Sequence, residues 1–93
     1  MYIKLGQEDY DAIAELIAEE DVSDGEVYYQ DIVEISFSKY VRAELDYDDY
    51  TGTGTWEVKS VDFSLENVTC GNIEIRYSHE KLEKTIEEML WRI

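Results

Sequence analysis

Two hydrophobic periods share this chain. Between Gln7 and Glu20, Tyr10, Ile13, Ala14 and Ile17 recur at intervals of three and four, which predicts a helix with one buried face. Gly6 is its N-cap, Glu8 and Asp9 suit the positive end of the helix dipole, and Leu5 is placed to staple onto Tyr10. From Val33 the period falls to two. Val33, Ile35, Phe37, Val41, Ala43, Leu45 and Tyr47 take one parity, and Glu34, Ser36, Ser38, Tyr40, Arg42, Glu44 and Asp46 the other, which predicts a long half-buried strand with Lys39 the only polar misfit. Asp48 to Gly54 reads as a hairpin loop.

After the loop, Trp56 and Val58 alternate in one parity and Val61, Phe63 and Leu65 in the other. A parity change within one strand requires an extra residue, so a β-bulge is expected near Lys59 and Ser60; counting back through the loop sets it opposite Lys39. A turn over Asn67 to Gly71 precedes a third strand, Asn72 to Tyr77. Ser78 then caps a terminal helix with Leu82, Ile86, Met89, Leu90 and Ile93 as its apolar stripe. The expected fold is α+β in the order α-β-β-β-α: a three-stranded antiparallel meander with both helices packed on one face. Residues 1–93 form a single domain, because a chain of 93 residues supports one modest core and no linker composition interrupts it.

Charge changes the functional picture more than the fold. There are 23 Asp and Glu against 8 Lys and Arg, a net charge of -15. The imbalance is concentrated in residues 1–31, where ten acids meet one base, Lys4, while residues 63–93 hold six acids and four bases. Direct binding to nucleic acid or to an anionic membrane is disfavoured, since phosphate recognition needs clustered Lys and Arg. A basic protein surface is the partner such a chain suits. Glu8, Asp11, Glu15 and Glu19 fall at spacings of three, four and four, which lines them along one exposed helix face. Asp21, Asp24, Glu26 or the loop acids Asp46, Asp48 and Asp49 would complete a second row, as a mimic of a DNA strand requires.

Other chemistry finds little support. Setting Gly25 at the invariant glycine of an EF-hand loop puts Val22 at a ligand position and Asp31 where a bidentate Glu belongs, so no calcium loop is expected, and no other metal or cofactor. Cys70 and His79 sit at opposite ends of the short third strand, too far apart for a nucleophilic dyad. No catalytic residue is assigned, and the chain reads as non-enzymatic. A single cysteine, no signal-peptide pattern and no membrane-length apolar run give a cytoplasmic expectation.

The strings from Gln7 to Val22 and from Asp48 to Trp56, with the amphipathic tail after Ser78, resemble small acidic uncharacterised proteins encoded by phages and conjugative elements of gut bacteria. That resemblance implies an accessory or host-interaction role, because small acidic α+β proteins of such elements include inhibitors that imitate DNA. The alternative is a structural, homodimeric module, joined through an edge strand or the Trp91 end, in which charge serves only solubility.

Overall fold

The structure, a computed structural model, describes residues 2–20 and 24–92. It contains β1 (Tyr2–Lys4), α1 (Gln7–Glu19), β2 (Asp24–Tyr29), β3 (Val33–Asp48), β4 (Thr53–Thr69), β5 (Glu74–Arg76) and α2 (His79–Trp91). Strands β2, β3 and β4 form a three-stranded antiparallel meander in that order, and the two helices make the fold α+β as the periodicity predicts.

The strands of the meander are not all those expected. Asp24–Tyr29, to which the hydrophobic periods assign no element, is the first strand, with Val27 paired to Ile35 and facing the core. Asn72 to Tyr77 contributes only Glu74–Arg76, which pairs in parallel with β1 as a separate two-stranded sheet. The main chain extends this small sheet, because the Leu5 N–H donates to the Arg76 carbonyl at 2.9 Å.

Helix α1 begins at Gly6, whose N–H donates to the Asp9 carboxylate at 2.8 Å. It buries Tyr10, Ile13, Ala14 and Ile17. Helix α2 begins at Ser78, whose hydroxyl accepts from the Lys81 N–H, and it buries Leu82, Ile86 and Leu90. The two helices meet over the inner sheet face, where Val27, Val33, Ile35, Phe37, Leu65 and Val68 complete one core. Tyr10 links the layers at their far end, its hydroxyl accepting from the Ser78 N–H at 2.8 Å.

Two bulges adjust β4 to β3. Lys59 is the extra residue of one: Val58 pairs with Ala43 and Ser60 with Arg42. The bulge therefore lies where the parity change places it in β4, but opposite Arg42 and Ala43 rather than Lys39, which pairs directly with Phe63. The second bulge, at Glu66, returns the parity so that Val68 faces inward against Ile35. Beside it, the Leu65 N–H donates to the Glu83 carboxylate of α2 at 3.0 Å.

Lys39 has a different reason for its position. Its ammonium donates to the carbonyl of Ile17 at 2.6 Å and to that of Glu20, closing the C-terminal end of α1. The last turn of α1 holds no basic residue, so a lysine from β3 supplies the charge that the negative end of the helix favours.

The molecule is long, with extents of 61 × 22 × 20 Å. A 13-residue helix covers about 20 Å, whereas the 16 residues of β3 run for about 54 Å. Beyond the pairing of Asp24 with Ser38 no third strand accompanies β3 and β4 among the described residues, and they continue as a two-stranded arm to the Asp48 turn. That turn is held by the Asp48 carboxylate, which accepts from the Tyr50 N–H at 2.9 Å, and by the Gly52 N–H donating to the Asp48 carbonyl. Gly52 adopts φ 70°, a left-handed conformation that glycine takes without steric cost.

Candidate functional site: the acidic surfaces

Glu8, Asp11, Glu15 and Glu19 are all exposed on α1, as their spacing predicts. Twelve residues of helix, Glu8 to Glu19, carry this row over about 16 Å. Among the described residues, no Lys or Arg forms an ion pair with any of the four. Asp11 accepts from the Gln7 side-chain amide at 3.0 Å, a contact within the same helix. The neighbouring Asp9 is turned to structural use: it accepts from the Gly6 N–H and from the Tyr29 hydroxyl at 2.7 Å. The hydrogen bond to Asp9, then partial burial and the Asp9 charge, raise the Tyr29 phenol above its ordinary range.

The other predicted acids do not join this row. Asp24 lies at the end of β2 opposite Ser38, on the outer face of the sheet and so across the sheet from the helices. Asp48 and Asp49 sit at the tip of the arm, nine residues beyond Lys39, or about 30 Å along the strand from the C-terminal end of α1. Asp21 lies outside the described residues.

A second acidic surface forms on the outer sheet face instead. The Ser38 hydroxyl lies 2.7 Å from the Asp24 carboxylate and 3.0 Å from that of Glu66, bridging two strands and a bulge. Glu26 and Glu34 stand beside them on paired strands, and the charge of Glu26, with a hydrogen bond between the two, raises the Glu34 carboxyl above its ordinary range. Asp62 adds a fifth carboxylate opposite Tyr40. Where β2 ends, Asp24, Ser38, Tyr40, Asp62 and Ser64 border a shallow groove of about 330 Å³. Period-two reading of β3 exposes Glu34; Glu26 and Glu66 escape it because β2 and the second bulge leave no clear parity signal.

On the arm, by contrast, Arg42 and Lys59 are both engaged by acids. Arg42 pairs with Glu44 at 2.8 Å, and Lys59 with Glu57 at 2.9 Å and Asp46 at 3.6 Å. A hydrogen bond with Glu57 and the Lys59 charge lower the Asp46 carboxyl, while the Glu57 hydrogen bond and the Asp46 charge raise the Lys59 ammonium.

Cys70 is buried in the core, and His79 contacts the Tyr77 hydroxyl at 3.1 Å on the helix side of β5. Among the described residues, no group of three His, Cys, Asp or Glu side chains is arranged to hold a metal ion. No described helix is long and apolar enough to cross a membrane. No family model, curated protein or solved structure matches the chain.

Proposed function

We propose that this protein is a non-enzymatic, cytoplasmic binding protein that presents carboxylates to a basic surface of a partner protein, in the manner of an anionic ligand. The observation that carries this reading is the row Glu8, Asp11, Glu15 and Glu19: four exposed carboxylates along one helix face, without a Lys or Arg ion pair among the described residues. Like charges at that spacing disfavour a helix by a few tenths of a kcal/mol per pair. A basic partner would relieve that cost and gain ion pairs at the same time. Asp24 and the outer-face acids lie across the sheet, so one flat partner surface engages the helix row or the sheet face rather than both. The accessory role implied by the resemblance to proteins of mobile elements belongs to this proposal.

The test is capture from bacterial lysate at low and high salt, with Glu8, Asp11, Glu15 and Glu19 all changed to Lys as the control. A basic protein retained at low salt, released at high salt and absent from the control would support helix recognition. A partner held equally by the charge-reversed protein would remove the helix row from the proposal. Capture of no basic protein at low salt would overturn it.

A further inference from the structure

The inner face of the sheet does not end where the helices end. Beyond Val41 and Val61 the same face carries Ala43 opposite Val58, Leu45 opposite Trp56, and Tyr47 opposite Gly54. These residues continue the register of the core, yet Trp56 is 72% exposed, Tyr47 59% and Leu45 49%. A Cβ on Gly54 would meet Leu45 Cδ1 at 3.0 Å and Tyr47 Cδ2 at 3.4 Å, so the absent side chain lets those two lie across the ribbon as a flat platform. The opposite face of the arm holds the Arg42–Glu44 pair. The arm is therefore an amphipathic two-stranded ribbon with its apolar face open to water.

We infer that this face is covered by the same face of a second copy, so that two arms pack against each other about a two-fold axis. Three observations favour a second copy as the occupant. A two-stranded ribbon is marginal in water without a third strand or a packed layer, and a facing ribbon about 10 Å away supplies the layer. The area is also suitable. The platform, five residues of each strand, is about 17 Å long and about 10 Å wide, and aromatic side chains such as Tyr47 and Trp56 bury on the order of 150–250 Å² each. The four aromatics of two copies together would cover roughly 600–1,000 Å², below the standard size of a specific interface and in the range of a weak, reversible dimer.

Charge is the third observation. Residues 41–61 hold five acids and two bases, a net charge of -3, which leaves -12 on the rest of the chain. Arms packed with their tips pointing in opposite directions join two segments of -3 each and hold the two bodies, of -12 each, at opposite ends of the assembly. Contact through α1 would instead bring two acidic rows together.

The test is sedimentation from micromolar to millimolar protein, combined with the fluorescence of Trp91→Phe, in which Trp56 is the only indole. The expected result is a rise from 10.9 kDa toward twice that mass, with Trp56 emission shifting to the blue over the same concentrations. Added salt should strengthen the dimer by screening like charges, the opposite of its effect on a basic partner, so this inference and the proposed function fail separately. Trp56→Ser and Leu45→Ser should each weaken association by about tenfold or more, while Tyr50→Ala, at the tip and outside the platform, should leave it unchanged. A mass that stays at one chain up to millimolar protein, with Trp56 emission constant, would overturn the inference. So would a dimer in which Trp56 emission does not move, because its interface would lie elsewhere; neither readout requires an interface variant to fold.

Discussion

The Lys39 ammonium donates to the carbonyl of Ile17 at 2.6 Å, so a strand lysine caps the helix that lies over it. This contact reconciles two apparent faults: a helix ending in Glu19 and Glu20 with no base in its last turn, and a lysine in the apolar register of β3. Each fault is the other's remedy.

Replacing Lys39 with Met keeps most of the stem and removes the charge and its donors. The variant should lose about 1–2 kcal/mol of stability, the upper range for a cation at a partly buried helix C-terminus. Urea denaturation checks this. The loss should persist at high salt, because partly buried contacts are weakly screened.

Glu83 ties α2 to the second bulge through the Leu65 N–H. Glu83→Ala removes that acceptor and should cost about 1–3 kcal/mol, whereas Glu83→Gln, which keeps an acceptor oxygen, should cost less. Amide exchange at Leu65 should rise markedly in the alanine variant alone.

The β2–β3 turn places two non-glycine residues, Gln30 at φ 54° and Asp31 at φ 62°, in left-handed conformations. Asn-Gly is the pair that such hairpin turns prefer. Gln30→Asn combined with Asp31→Gly should therefore stabilise the protein by about 1 kcal/mol, which raises Tm by about 4–8 °C in a domain of this size.

The raised carboxyl of Glu34 carries a pH signature. A carboxyl whose folded-state pKa lies above its unfolded value binds protons more tightly when folded. Its ionisation therefore penalises the fold as pH rises through the carboxylate range, and the penalty is absent below that range. Glu34→Gln should have a higher Tm than the parent at neutral pH. The difference should vanish in acid, where Glu34 is protonated; a Tm gain that is constant with pH would contradict the Glu26–Glu34 repulsion.

The two helices, their caps, the long β-hairpin, the bulge at Lys59 and the exposed row from Glu8 to Glu19 are all legible in the chain before it folds. All of these are local: a period of two or 3.6, a capping residue or a parity break can be read within a dozen positions. Which short segments pair depends on contacts distant in sequence. Asp24–Tyr29 becomes a strand because Val33–Asp48 offers it an edge, and Glu74–Arg76 leaves the meander because β1 offers it another. The same is true of the uncovered arm. Periodicity marks Leu45, Tyr47 and Trp56 as apolar-face residues, but burial also depends on the reach of neighbouring elements, and helices of 13 residues stop short of strands of 16 and 17. Lys39 marks that limit, since the partner that explains it lies 22 residues away in sequence and meets it only in the folded chain.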